Sequence, residues 1–487
     1  MTDIDSLGLV PRPLFAGLTA GSAGSSNACC PFTAAENPRV TLTDAALGFT
    51  HVCEPADPAL RDGAYVLEIR ADGVSITAHT EAGAFYARQT LRQLTMTCGE
   101  VLPLLRIEDA PAYRWRGFMI DCCRNFYSAA FLKKMIDVAA LHKLNRFHWH
   151  LTDDQGWRLP VPDFPNLTEV AAFRDDHRFT WDPKKGGFYT EAEIADVVAY
   201  AQERHITVVP EIETPGHTVA VLAAYPELGC TGGPYAVEDR FGIFADVLCA
   251  GNDGVLTFFE KVFDTVCRLF PGEYVHIGGD ECPRTSWKKC PKCQARMKSL
   301  GLTDEGELQS WLTVQFARML EKRGKRPVGW DEVLDGTEKL GLPESLIVQS
   351  WRGMEGGQKA SELGHDVVMS PQTAGCYLDA KNYGDDLEPG MHRVITTRDS
   401  YAFSPVTREM NADQAAHVLG GQGNLWTELI YAPRIAEYML YPRLCALSEA
   451  LWLTTADKDF DSFSRRLAVH KQRLDTLDVV YYKGRLG

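Results

Sequence analysis

No stretch of this chain approaches the roughly 20 consecutive apolar residues that a membrane helix needs. Its N-terminus, "MTDIDSLGLVPRPLFAG", is acidic and lacks the uninterrupted apolar run of a secretory leader, so a cytoplasmic location is expected. Basic runs are missing too. With 50 Lys and Arg against 65 Asp and Glu, the formal net charge is −15. Nothing is present to neutralise a phosphate backbone, which argues against a nucleic-acid partner. The acidic balance reads as solubility. Phosphate cradles are absent: "GGDE" is not a P-loop, and "GGQGN" lacks dinucleotide-site spacing. There is no H-E-x-x-H metal signature, no internal repeat and no long low-complexity tract. Cysteine is not scarce. The 14 cysteines include the adjacent pairs Cys29–Cys30 and Cys122–Cys123. Reduced thiols are the simplest account of them in a chain without a leader.

What is present divides at about Pro111. Before it, "AYVLEIR" and "VSITAH" flank "ADG", a hairpin signal. Then "TEAGAFYARQTLRQL" places apolar residues at helical spacing behind a Thr cap, and "VLPLLRIED" returns as a strand. Residues 1–110 are therefore expected to form a small α+β domain. From 111 to 487, apolar runs alternate with helical patterns such as "SAAFLKKMIDVAALHKL" and "TEAEIADVVAYAQER". Strands are expected at 117–122, 146–153, 206–213, 273–280, 326–333, 345–351, 366–370 and 419–426. Eight buried strands with intervening helices point to a (β/α)8 barrel, here with a C-terminal helical extension.

A parallel barrel puts its chemistry at the C-terminal ends of its strands. The first strand ends in Asp121, with Arg124 just beyond. The second is followed by His150, Asp153, Asp154 and Trp157, and the third by Glu211, Glu213 and His217. The fourth leads into "HIGGDE", with Asp280 and Glu281 side by side. Trp330 and Trp351 end the fifth and sixth, Tyr377 and Asp379 follow the seventh, and Trp426 and Glu428 close the eighth. A lone Asp there usually caps a helix and a lone Trp usually packs a core. It is their convergence on one rim that suggests a site. Aromatic planes suit the C–H faces of a sugar, and carboxylates and guanidinium suit its hydroxyls. A divalent metal held by Asp153, Asp154 and Glu213 is a second reading, but His150 and His217 lack a metal-ligand spacing.

"HWHLTDDQGWR", "PEIETPGH", "HIGGDE" and "GNLWTE" together resemble the motifs of family 20 glycoside hydrolases, the β-N-acetylhexosaminidases. The resemblance runs from "RWRGFMIDCCR" to "SEALW", with the motifs in family order. It implies a retaining exo-hydrolase of terminal β-linked GlcNAc or GalNAc, with oligosaccharide or glycoconjugate substrates and no cofactor required for catalysis. It also implies that the substrate's acetamido group is the nucleophile, through an oxazolinium ion. Glu281 is then the general acid/base, Asp280 the acceptor of the acetamido N–H, and Tyr377 the donor to the acetamido oxygen. Trp330, Trp351 and Trp426 wall the pocket, while Arg124, Glu428 and Asp379 bind hydroxyls. Asp153, Glu213 and His217 form a supporting shell, with His150 either part of it or a packed core histidine. The family often has Asp where this chain has Glu213. Two other readings stand beside this one: a lacto-N-biosidase that releases a disaccharide, and a non-catalytic sugar-binding barrel.

Directly after the acidic pair, "CPRTSWKKCPKC" brings Cys282, Cys290 and Cys293 close together. The C-P-K-C spacing is a common half of a zinc site. With Cys249 of "VLCAGND" they would complete a structural zinc centre. Inert buried thiols or a loop disulfide are the alternatives.

Overall fold

The computed structural model describes residues 4–18, 29–32, 37–175, 185–385 and 387–487. A first layer is a five-stranded sheet: β1 (Phe15–Leu18), β2 (Arg39–Leu42), β3 (Tyr65–Arg70), β4 (Gly73–Ala78) and β5 (Leu105–Asp109), in the order β1-β5-β3-β4-β2. The hairpin read at "ADG" is there, with Arg70 opposite Gly73 in the antiparallel β3–β4 pair. Gly73 takes a positive φ of 136° at the turn. Helix α1 (Glu81–Cys98) starts at Thr80, whose hydroxyl accepts from the Gly83 N–H. It covers the sheet through Ala84, Ala87, Leu91 and Leu94, all buried.

The barrel follows: β6 (Trp115–Asp121), β7 (Arg146–His150), β8 (Thr207–Thr214), β9 (Tyr274–Gly278), β10 (Arg326–Trp330), β11 (Ile347–Ser350), β12 (Val367–Met369) and β13 (Val418–Leu425). These eight close in sequence order, with parallel pairing throughout. Around them lie α2 (Ala129–Leu141), α3 (Glu191–Gln202), α4 (Asp253–Leu269), α5 (Thr285–Lys289), α6 (Pro291–Leu300), α7 (Glu305–Glu321), α8 (Glu355–Glu362) and α9 (Arg443–Trp452). Ser128 and Thr190 cap α2 and α3, as Ser and Thr do where a strand-to-helix loop ends. The outward faces of the strands, such as Phe118, Ile120, Phe147, Trp149, Val275 and Ile277, pack under the helices. No described helix is long and apolar enough to cross a membrane.

Two strands end earlier than their apolar runs suggest. β7 stops at His150, after which Thr152–Asp153 pairs back on Gly156–Trp157 in its own short ladder. β9 stops at Gly278, so Asp280 and Glu281 lie beyond the sheet. The first residues pack in the core of the sheet domain through Leu7 and Leu9 and also reach the end of the chain. Ile4–Leu7 runs beside the C-terminal helix α10 (Phe460–Thr476). There Arg473 donates to the Leu7 and Gly8 carbonyls, and Arg466 to that of Leu9. A buried ion pair joins the two layers: Lys143 Nζ lies 2.6 Å from Asp109 Oδ2, and Trp452 Nε1 donates to Asp109 Oδ1 at 2.8 Å.

Candidate active site

The barrel interior is apolar at the N-terminal end of the strands, where Trp115, Val209, Tyr274, Val328, Ile347, Val368 and Leu419 meet. One step further along the strands the inward residues turn polar. Strand alternation puts His148, Glu211 and His276 on the same inner level. Glu211 is wholly buried and has four partners: His148 Nε2 at 2.9 Å, His276 Nδ1 at 3.0 Å, His150 Nδ1, and Trp330 Nε1 at 2.7 Å. Burial opposes its charge, but the three imidazoles outweigh that and hold its pKa well below the usual carboxylate range. Burial likewise opposes charge on His150, yet Glu211 and Asp153 raise it to about 10. The consequence is a chain of alternating sign, Glu211–His150–Asp153–Arg124, that fixes Trp330 at one end and Arg124 at the other. His150 Nε2 meets Asp153 Oδ2 at 2.9 Å, and Arg124 reaches the same oxygen at 2.8 Å.

Above this layer the two glycines of "HIGGDE" do specific work. Gly278 and Gly279 adopt φ of 68° and 113°. A Cβ on Gly278 would sit 1.9 Å from a Glu213 carboxylate oxygen, so the close approach of Glu213 requires glycine there. The turn continues through Glu281, itself at φ 45°, and this lets both acids face one cavity. His217, at φ 49°, sits beneath them. Its Nε2 is 3.5 Å from Glu281 and 3.7 Å from Asp280, while its Nδ1 is 2.9 Å from Asp154 and 3.5 Å from Asp153. Burial disfavours charge on His217, but these carboxylates overcome it and raise its pKa well above the ordinary value. Glu213 behaves oppositely. It is buried beside Asp280 and Glu211 with no hydrogen-bond partner on either oxygen, and burial together with these two carboxylates raises its pKa well above the ordinary value.

The cavity has a volume of about 270 Å³. Asp280, Glu281 and His217 form one side of it, and Trp330, Trp351, Trp426 and Tyr377 the walls. Trp330 and Trp426 have ring centroids 5.8 Å apart, and Trp351 stacks on Tyr377 at 6.3 Å. The Trp351 indole N–H is anchored on Glu332 at 2.8 Å. Burial, with Asp280 and Asp331 nearby, pushes Glu332 up to about 9. Tyr377 is buried, and burial with nearby Asp379 and Asp280 keeps it a phenol. Arg124 faces the cavity over Trp426, 5.0 Å from the ring centroid, and is held by Asp121, Asp153 and Gln155. Glu428 and Asp379 line the same cavity, pushed by burial to about 7 and about 6. One oxygen of Glu428 and both of Asp379 have no hydrogen-bond donor. Buried acceptors without donors fit hydroxyl groups that arrive with a ligand.

The structure thus brings together Asp280, Glu281, Tyr377, Arg124, the three tryptophans, Glu428 and Asp379, with Asp153, His150, Glu213 and His217 behind them. His150 belongs to the supporting network. Sequence reading missed Arg393, whose guanidinium lies 3.7 Å from Asp379 and 4.8 Å from the centre of the Tyr377 ring, and Gln372, which accepts from it at 2.5 Å. The metal reading at Asp153, Asp154 and Glu213 does not fit. Asp153 already serves His150 and Arg124, Asp154 serves His217 and the Val219 N–H, and Glu213 keeps its proton. The cysteine expectation is corrected at one position. Cys282 is not with Cys249, Cys290 and Cys293. It packs on Gly216, whose added Cβ would lie 3.2 Å from the Cys282 Cα. The fourth sulfur of that cluster is Cys230.

Residues 113–455 match the family described as glycosyl hydrolase family 20, catalytic domain, and residues 24–110 match its domain 2. A β-hexosaminidase of Porphyromonas gingivalis is 45% identical over 433 residues, which is 87% of this chain and 55% of that protein. The chain therefore spans about half the length of that relative. A β-hexosaminidase of Akkermansia muciniphila is 32% identical, over 95% of this chain and 94% of its own length. Among solved structures, an exo β-N-acetylglucosaminidase of Vibrio harveyi in complex with N-acetylglucosamine superposes with a TM-score of 0.84 at 31% identity, covering 98% of this chain and 78% of that one. With its barrel, its preceding sheet domain and its paired acids, the chain belongs to glycosyl hydrolase family 20.

Proposed function

We propose that the protein is a retaining exo-β-N-acetylhexosaminidase that releases terminal, non-reducing β-linked GlcNAc or GalNAc with the help of the substrate's own acetamido group. The observation that carries this reading is the Asp280–Glu281 pair, turned into one aromatic-walled cavity together with the Tyr377 hydroxyl. Most glycosidases use two carboxylates on either side of the scissile bond; this family is among the exceptions in which the substrate assists. Two acids adjacent in sequence suit the exception. Glu281, partly exposed at the mouth, gives its proton to the glycosidic oxygen as that bond breaks. Asp280 accepts the acetamido N–H and stabilises the positive charge that grows there. Tyr377 donates to the acetamido oxygen and aims it at the anomeric carbon. The oxazolinium ion so formed is opened by water, whose proton returns to Glu281, and the configuration at the anomeric carbon is retained.

The presence of both Arg124 and Glu428 in the lining of the cavity favours a single-sugar product. Parallel assays with aryl β-GlcNAc, aryl β-GalNAc and aryl lacto-N-bioside test this. Release of the monosaccharides is expected, with tight inhibition by a thiazoline analogue of the oxazolinium ion. Release of lacto-N-biose in preference would favour the disaccharide reading, and sugar binding without turnover would favour a lectin-like barrel.

A further inference from the structure

Four sulfurs outside the catalytic cavity stand together: Cys230, Cys249, Cys290 and Cys293 all lie within 4.8 Å of one another. All four are free thiols, and three of them are buried. The separations are diagnostic. Cys249 is 3.7 Å from Cys290 and 3.7 Å from Cys293, and Cys230 is 3.9 Å from Cys293. A disulfide needs about 2.05 Å. Sulfurs placed tetrahedrally about 2.3 Å from a zinc ion are about 3.8 Å apart along each edge. The bulk of an iron–sulfur cluster would force its ligating sulfurs much farther apart.

The backbone is shaped for this cluster. Cys290 is the N-cap of α6 and Cys293 lies in its first turn, so the positive end of the helix faces the sulfurs. A Cβ on Gly251 would sit 2.1 Å from the Lys292 carbonyl carbon, so only glycine lets the Cys249 loop close on the Cys290–Cys293 turn.

We propose that Cys230, Cys249, Cys290 and Cys293 bind one structural zinc ion that clamps the neck of the loop between Cys230 and Cys249. The neck is already narrow: Gly229 pairs with Leu248, and the Cys249 N–H reaches the Leu228 carbonyl at 2.8 Å. The far part of the loop touches the cavity's support. The Glu238 N–H donates to the Asp154 carbonyl at 3.1 Å, and the Arg240 carbonyl accepts from Gln155 at 2.8 Å. Asp154 in turn holds His217, and Gln155 holds Arg124. The other two ligands lie a short helix beyond Glu281. The ion therefore joins two segments that flank the cavity, independently of the reaction performed there.

Elemental analysis of the full chain, purified without a metal-affinity tag, is expected to give one zinc per chain. Cobalt exchanged into the site should show the visible d–d bands and sulfur-to-metal charge transfer of a tetrahedral thiolate. Cys293→Ser should lose the ion, whereas Cys282→Ser should keep it. On stripping the wild-type protein with a chelator, four thiols should become titratable and hydrogen exchange in residues 231–247 should rise at least ~10-fold. Zinc-free protein with four reactive thiols at the outset, two disulfides, iron in place of zinc, or loss of metal in Cys282→Ser would each overturn the assignment.

Discussion

Asp280→Asn removes the acceptor proposed for the acetamido N–H and Glu281→Gln removes the proposed proton donor from the same turn, and their effects should separate by leaving group. The Asp280 Oδ1 is buried with no donor in the free protein, so its natural partner is the substrate N–H. At about 3 Å, unit charges attract by about 5.5 kcal/mol at an effective dielectric of about 20 and by about 1.4 kcal/mol in water. Hydrogen bonds to charged groups contribute about 1.5–3 kcal/mol net. A loss of about 3 kcal/mol of transition-state stabilisation corresponds to a roughly 10²-fold fall in kcat/KM. For Asp280→Asn that fall should be the same for every leaving group, because the oxazolinium charge forms whatever departs. Glu281→Gln should lose ~10²–10⁴-fold with a basic leaving group such as a sugar. With dinitrophenol, which departs without a proton, kcat/KM should approach that of the wild type. A Brønsted plot over a series of aryl β-GlcNAc substrates reads both. A steep plot for Asp280→Asn with a flat one for Glu281→Gln would reverse the two roles and refute the reasoning.

Glu428 provides a pH-dependent test. Its pKa is raised to about 7 from an ordinary 4.5, so the folded protein binds this proton more tightly than the unfolded chain. Stability from this group is then full below about 4.5 and is lost as pH rises to about 7, on the order of 3 kcal/mol in all. Glu428→Gln should therefore melt higher than wild type at pH 8 but not at pH 4.5, while its KM rises; equal melting shifts at both pH values would contradict the assignment. Glu213→Gln keeps a neutral polar side chain beside Asp280 and should retain most of kcat, whereas Glu213→Ala should lose ~10-fold or more; equal loss in steady-state assays would mean that a neutral polar group at 213 is not what supports the acidic pair. Asp109→Ala leaves Lys143 as a buried, unpaired cation between the sheet and the barrel, and denaturant unfolding should show a loss of about 3–5 kcal/mol.

The barrel was readable because parallel strands are buried on both faces and appear as apolar runs. Helix caps at Thr80, Ser128 and Thr190 stood in the sequence as side chains with a defined task. The limits were local. The run ending "EYVHIGGD" does not say that pairing stops at Gly278, since positive φ at Gly278 and Gly279 is a property of the turn. Arg393 sits on a short strand of its own, Met391–Val394, and reaches the cavity only through the path of a loop. Cys230 lies nineteen positions before Cys249, with no C-x-x-C partner to mark it. Cys282 was the more visible candidate because it is near Cys290 in sequence, but the turn that aims Glu281 at the cavity sends Cys282 toward Gly216. The same adjacency that exposed the acidic pair thus misplaced the cysteine.

Glu281 holds a left-handed backbone, φ 45°, which costs a residue with a Cβ about 1–2 kcal/mol. Glycine would occupy that position without strain. The residue proposed as proton donor thus stands against the preference of the backbone, and on the proposed mechanism the return for that strain is turnover. Selection of random variants for heat resistance alone would favour glycine at 281 and drift toward robust, silent barrels, so a thermostabilisation campaign on this scaffold has to score hydrolysis in every round.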